Sequence, residues 1–188
     1  MKRLLIYIIT LAIATTVAIA QDYETDFREL QQQFEERLKT TPANLKAYMA
    51  SYPYSTYTDE IYFMEGVLYA EKGKYKQAIK AFSKVNAKNL SRESQPMLYF
   101  YWGYTLVKQN NYQQALSQLL RLKNQNSLYT PHARYYAGYC YYCMKEFPRA
   151  LAEFLAVEQL SGYQQIVPYY IIQIDYAQGE YNKVYERA

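Results

Sequence analysis

Apolar residues along this chain recur at spacings of three and four, and short polar runs interrupt them at regular intervals. From Asp22 to Lys39 they fall at Phe27, Leu30, Phe34 and Leu38, with Gln, Glu and Arg between them, which predicts an amphipathic helix. Thr41 followed by Pro42 reads as a helix cap and a first-turn proline, opening a short second helix that carries Leu45, Tyr48 and Met49. That helix should stop before Tyr52-Pro53, because proline disfavours helical geometry in the residue preceding it. Three helix-turn-helix units are then expected, with polar turns at Glu71-Lys72-Gly73-Lys74, Lys108-Gln109-Asn110-Asn111 and Met144-Lys145-Glu146. Thr130-Pro131 repeats the threonine-proline opening at the start of the third.

A four-residue fingerprint runs through these units: Gly66, Tyr69, Tyr75, Ala78; then Gly103, Leu106, Tyr112, Ala115; then Gly138, Tyr141, Phe147, Ala150. The copies are displaced from 66 to 103 and from 103 to 138, that is by 37 and 35 residues, and Gly179, Tyr181 and Val184 make a weaker fourth. A period of this size containing two helical patterns predicts a solenoid, an architecture that presents an extended binding surface. A glycine inside a helix costs about 0.5–1 kcal/mol relative to alanine. Its recurrence at one helical position therefore argues that the small residues, Gly and the Ala twelve places on, let the two helices of a unit approach closely.

These residues resemble the tetratricopeptide repeat family, whose unit is about 34 residues long. The family keeps small residues where this chain has the three glycines and Ala78, Ala115 and Ala150, and large ones where it has Phe82, Leu119 and Phe154. The resemblance covers residues 59–188 and implies an all-α helix-turn-helix solenoid with a right-handed superhelical path. The chain departs from the pattern at Glu65, Trp102, Ala137 and Arg134. The expected division is a leader over residues 1–20, an N-terminal helical cap or degenerate repeat over 21–58, complete units over 59–95, 96–130 and 131–164, and a partial fourth unit over 165–188. That last unit stops at Ala188 inside its expected second helix, so either a longer array or a frayed natural end is expected.

The leader expectation rests on Lys2 and Arg3, the uncharged run from Leu4 to Ala20 and the small-x-small end Ala18-Ile19-Ala20. These are the parts of a secretory signal peptide cut after Ala20. An uncleaved membrane anchor is the alternative, weakened by Thr15-Thr16 and by a length at the lower edge of a bilayer span. No other long apolar stretch occurs, so no membrane-spanning segment is expected once the leader is removed. Tyr52-Pro53-Tyr54-Ser55 looks like the punctuation of exported repeat proteins of Gram-negative bacteria, which implies a periplasmic or outer-membrane-associated location. Losing Lys2 and Arg3 takes the formal net charge from +4 to +2, too little to point to nucleic acid.

Tyrosine is the unusual entry in the composition, with 25 in 188 residues. The family resemblance implies a concave groove lined by the first helix of each unit. Its residues here would be Phe63, then Phe100, Tyr101 and Tyr104, then Tyr135, Tyr136, Tyr139 and Tyr142, then Tyr169, Tyr170 and Tyr176. Such an aromatic stripe supplies contact area at little rotamer entropy together with hydroxyl donors, which suits a protein or peptide partner. An envelope glycan stacked on the rings is the alternative, and rings that merely fill the space between repeats would leave no groove to bind either. The family's clamp for acidic chain ends has one match, Lys108, so a chaperone-tail receptor is not expected.

Catalytic chemistry finds little support. Cys140-Tyr141-Tyr142-Cys143 lies in the later turns of its helix, away from the helix N-terminus that would stabilise a thiolate, so two buried or half-buried thiols are expected. His132 is the sole histidine and has no nucleophile motif beside it; Glu35-Glu36 lies on a solvated helix face next to Arg37. No phosphate-binding glycine loop occurs, and no metal, cofactor or enzymatic activity is expected.

Overall fold

The computed structural model describes residues 23–187, so the expected leader over residues 1–20 and the terminal Ala188 lie outside the described residues. Among the described residues every regular element is helical, and none is long and apolar enough to cross a membrane. The helices are α1, described over residues 23–35, α2 Thr41–Ser51, α3 Thr58–Glu71, α4 Tyr75–Phe82, α5 Ser94–Lys108, α6 Tyr112–Leu119, α7 Thr130–Cys143, α8 Phe147–Leu155, α9 Val167–Ala177 and α10 Tyr181–Arg187. Short 3-10 turns at Ala87–Asn89 and Leu120–Leu122 follow α4 and α6. The chain divides into two compact units, the first ending at Glu65 and the second beginning at Gly66 within α3.

In the first unit, Phe27, Leu30 and Phe34 of α1 bury against a core that includes Leu45 and Tyr48 of α2 and Ile61 and Phe63 of α3. Phe27 stacks flat on Tyr57, with ring centroids 3.8 Å apart. α1 stops at residue 35 rather than running to Lys39, which leaves Leu38 at 42% exposure. The stop is a Schellman turn. Arg37 takes a left-handed conformation at φ 54°, Leu38 N–H donates to Gln33 O at 3.0 Å, and Arg37 N–H donates to Phe34 O at 3.1 Å.

The same turn closes the first helix of every pair in the second unit. Gly73, Asn110, Lys145 and Gly179 hold φ of 69°, 56°, 61° and 78°, and the next residue's N–H returns to Tyr69, Leu106, Tyr141 and Asp175 respectively. The polar turns are thus fixed stops that reverse the chain in the same way each time. Thr41 and Thr130 do not cap their own helices as expected. The Thr41 hydroxyl donates backward to Leu38 O at 2.8 Å, and that of Thr130 to Gln125 O at 2.8 Å. They satisfy carbonyls left open by the preceding turn, while Pro42 and Pro131 remove one N–H each from the orphan donors of the new helix.

Consecutive helices of the second unit pack on one another from α4 through α10, and α5 also touches α7, the first helix of the next pair. The glycines set the depth of each pair. A Cβ on Gly66 would come within 2.4 Å of the Phe82 ring, one on Gly103 within 2.5 Å of Leu119, and one on Gly138 within 2.8 Å of the Phe154 ring. The nearest opposing group is therefore the large residue sixteen places on, from 66 to 82, from 103 to 119 and from 138 to 154, with the Ala115 carbonyl also 3.4 Å from a Cβ on Gly103. Ala78, Ala115 and Ala150 are fully buried alongside.

Two buried carboxylates replace apolar packing near the end of the unit. Glu153 of α8, 2% exposed, receives Lys123 Nζ at 2.6 Å and Arg134 Nη1 at 3.0 Å, and Arg134 Nη2 also donates to Lys123 O. This accounts for the departure at Arg134, because a buried charge is tolerated only when paired and hydrogen-bonded. Asp175, 3% exposed, lies 3.8 Å from Arg187, which also pairs with Glu158 at 2.6 Å.

Gly66→Ala and Gly103→Leu test the glycine contacts. Forcing a side chain into either site costs about 1–3 kcal/mol by overpacking, against only about 0.5–1 kcal/mol regained from helix propensity. Thermal melts of both variants should shift down by several degrees, Gly103→Leu further than Gly66→Ala. Melting at the wild-type temperature would show that the helices do not approach at these positions.

Candidate functional site

The first helices of three successive pairs carry the tyrosines. Spacings of three and four residues place Phe100, Tyr101 and Tyr104 on one side of α5 and Tyr135, Tyr136, Tyr139 and Tyr142 on one side of α7. Their rings form one connected network. Phe100 contacts Tyr104 and Tyr136 at centroid distances of 6.1 and 6.2 Å, and Tyr104 meets Tyr136 edge-on at 5.2 Å. Tyr135 meets Tyr136 at 5.1 Å and Tyr170 at 6.2 Å, while Tyr170 takes the edges of Tyr139 and Tyr142 and stacks on buried Phe154 at 5.2 Å. These rings are half-buried, with much of their faces covered by neighbours from the adjacent pair.

The structure puts the remaining members of the expected stripe in different settings. Phe63 is a core residue of the first unit, 2% exposed and packed against Phe34, so it offers no surface to a ligand. Tyr101 donates to Glu71 at 3.0 Å, and Tyr142 donates to Gln173 of α9. Tyr169 and Tyr176 stand 60% and 65% exposed; Tyr176 meets only the edge of Tyr181 among the ring contacts of the described residues.

Between the C-terminal turn of α5 and the faces of α7 and α9 lies a cleft of about 320 Å³, lined by Val107, Lys108, Asn110, Tyr135, Tyr136, Tyr139 and Tyr170. Its lining is mainly polar. Lys108 Nζ stands 5.3 Å from the centroid of the Tyr104 ring. Val107 and Asn110 were not foreseen. Asn110 enters because its left-handed turn geometry brings it beside Tyr112, whose hydroxyl donates to Asn110 Oδ1 at 2.9 Å. The first unit carries a separate cleft of about 210 Å³ lined by Asp26, Glu29, Gln33 and Asn44 among others, over a floor of Leu30 and Tyr48.

The phenols hold their protons tightly. Burial raises the pKa of Tyr104, reinforced by its hydrogen bond with Tyr75; burial likewise raises Tyr135, reinforced by Tyr170. For Tyr139 the first cause is its hydrogen bond with Cys143, followed by burial. Burial pushes Tyr163, whose hydroxyl pairs with His132 Nδ1, up to about 12. Cys140, fully buried, is pushed up to about 12 by burial and by neighbouring Cys143, so it remains a neutral thiol. Among the described residues no group of His, Cys, Asp and Glu could hold a metal ion.

The family model described as Iml2/Tetratricopeptide repeat protein 39 matches residues 4–178. The chain belongs to that family. No curated protein matches it. Two solved structures with tetratricopeptide-like helical pairing are similar: a double mutant titled "MamA RS-1 ArsTM double mutant", at a TM-score of 0.68, and MamA from residue 41 to its end from Desulfovibrio magneticus RS-1, at 0.65. Each is 17% identical to this chain and covers 88% of it, and the chain covers 89% and 90% of theirs. At that identity the likeness speaks for the fold, and the tetratricopeptide pairing of helices is the frame in which the tyrosine cleft sits.

Tyr104, Tyr135, Tyr139 and Tyr163 all bind their protons more tightly in the folded chain than an ordinary tyrosine. Their contribution to stability is fully present below about pH 10, the value of an unperturbed tyrosine, and is lost as the pH rises beyond it. Ultraviolet titration should show a set of phenols ionising only well above that pH, together with loss of helical circular dichroism. All tyrosines ionising in one step near the ordinary value, with helix intact, would contradict the packing described.

Proposed function

We propose that this tetratricopeptide-repeat protein is an exported scaffold that binds an extended segment of another protein in the tyrosine cleft of its second unit, within an envelope-associated complex. The family and the repeat fold support an interaction scaffold. The single observation that carries the finer reading is the cleft itself, where three helices from two neighbouring pairs and the start of the next bring Tyr135, Tyr136, Tyr139 and Tyr170 around one opening. The reading involves no catalytic step. Export is supported by the Lys2-Arg3 start, the uncharged run and the Ala18-Ile19-Ala20 end.

The ring contacts favour a peptide over a stacked sugar. A pyranose needs an open aromatic face, whereas Tyr104, Tyr136 and Tyr170 each direct a face or an edge into a neighbouring ring. The cleft lining is mainly polar, which suits the carbonyls and N–H groups of an extended chain.

A photoreactive side chain placed at Tyr139 in the native cell envelope tests this, with the same group at Leu128, 90% exposed, as control. A discrete protein adduct is expected from Tyr139 alone, lost on Tyr170→Ala while helix content is unchanged. Identical adducts from both positions, or a glycan adduct at Tyr139, would overturn the proposal.

A further inference from the structure

We infer that the edge of the second unit from which its inter-pair connections emerge docks on the surface of an anionic lipid bilayer. This surface is separate from the tyrosine cleft and does not depend on what the cleft binds. The modest net charge of the chain conceals a segregation along it. Residues 72–145 hold twelve Lys or Arg and one acidic residue, Glu93, whereas residues 22–71 hold ten acidic residues and four cations. The basic stretch opens with a cation at every fourth position, Lys72, Lys76, Lys80, Lys84, Lys88 and Arg92, all exposed. Among the described residues Lys72, Lys76, Lys80, Lys88 and Arg92 enter no ion pair, whereas Lys123, Arg134, Arg149, Lys183 and Arg187 each have a carboxylate within 4.0 Å.

The fold gathers part of this charge beside apolar side chains. The left-handed turns at Gly73, Asn110, Lys145 and Gly179 reverse the chain at one edge of the unit, so the connections leaving α4, α6 and α8 come out together at the other. Those connections, residues 83–93, 120–129 and 156–166, carry Lys84, Lys88, Arg92, Arg121 and Lys123, and Lys80 lies in the last turn of α4. Their two carboxylates are Glu93 and Glu158, and Glu158 is already held by Arg187 at 2.6 Å. The same connections leave Leu128, Leu160 and Ile166 at 90%, 42% and 41% exposure, and none of the three lines a cleft described above.

A bilayer surface matches both features. Lysine is a compact charge on a flexible stem, without the planar fork by which arginine fixes one carboxylate or phosphate, so a row made mostly of lysine suits laterally mobile headgroups better than one rigid epitope. Each cation near an anionic leaflet adds an attraction that decays within a Debye length. Apolar side chains on separate loops can enter the boundary between headgroups and acyl chains one by one, whereas a protein surface would need a shaped apolar contact to cover all three. The tyrosine cleft borders the C-terminal turn of α5, at the opposite edge, and stays open to its partner when the protein is docked in this way.

Flotation of the mature protein, from Gln21, with vesicles of phosphatidylcholine alone and of equal parts phosphatidylcholine and phosphatidylglycerol tests this; removal of the leader keeps its apolar run out of the result. Binding to the anionic vesicles should be tighter by about tenfold or more and should weaken as salt is raised. Lys80→Gln, Lys88→Gln and Arg92→Gln combined should lower it by about tenfold or more. Lys39→Gln, Lys46→Gln and Lys183→Gln combined remove the same charge elsewhere and should leave binding nearly unchanged. All six cations are exposed, so helix content and melting temperature should hold in both triple variants. A photoreactive group at Leu128 should be captured by lipid.

Equal binding to neutral and anionic vesicles, equal losses in the two triple variants, or no vesicle binding at all would overturn the inference. Capture of an acidic protein or polysaccharide by Lys80, Lys88 and Arg92 in place of lipid would overturn it as well and reassign the edge to that polyanion. None of these outcomes touches the cleft, whose Tyr139 adduct is read separately.

Discussion

A methyl group on Gly66, Gly103 or Gly138 would stand 2.4, 2.5 or 2.8 Å from the side chain of Phe82, Leu119 or Phe154, closer than any carbon can be held. The absence of that methyl lets a large side chain of the second helix lie directly on the backbone of the first. Everything else in the second unit is spaced by this contact. Phe154, seated against Gly138, is fully buried and becomes the floor on which Tyr170 stacks from the next pair. Tyr170 in turn borders the cleft. A packing requirement inside one pair of helices is thus transmitted, through two rings, to the surface where a partner would bind.

The tyrosines serve two ends at once. Their rings hold adjacent pairs together by edge contacts, such as Tyr104 on Tyr136 and Tyr139 on Tyr170, each adding about 0.5–1.5 kcal/mol beyond simple burial in measured aromatic pairs. Their hydroxyl ends find partners within the fold, Tyr101 on Glu71, Tyr142 on Gln173, Tyr139 on Cys143, Tyr104 on Tyr75 and Tyr135 on Tyr170. One tyrosine can therefore fill space with its ring and still offer a hydroxyl to a polar partner. This division explains why a strongly aromatic stripe yields a polar cleft with a lysine at its rim.

Much of the fold was legible because it depends on short-range spacing. The glycine and alanine positions, the polar turns and the helix pairs follow from periods of three, four and about thirty-five, and a match over residues 4–178 to a tetratricopeptide family agrees with them. The partner of each glycine was less legible. Phe82, Leu119 and Phe154 look like ordinary core residues in a pattern, and only a built backbone shows which of them meets the missing side chain. The left-handed positions at Arg37, Asn110 and Lys145 carry no glycine to mark them, so the end of α1 and the entry of Asn110 into the cleft stayed hidden. Long-range pairing was equally silent: Arg134 departs from the repeat pattern because Glu153, nineteen residues later, needs it. Phe63 shares its repeat position with Phe100 and Tyr135 yet lies in the core of the first unit beside Phe34, because burial there is decided by neighbours and not by register.

The contact between Gly138 and Phe154 is the place to test the account, by a double-mutant cycle on stability with Gly138→Ala, Phe154→Leu and the two combined. If the ring sits on the glycine, shrinking the side chain must relieve part of the clash, and the combined loss should fall short of the sum of the single losses by about 1 kcal/mol or more. Additive losses would mean that the two residues do not touch, and the spacing of the repeats, with the cleft it supports, would need another cause.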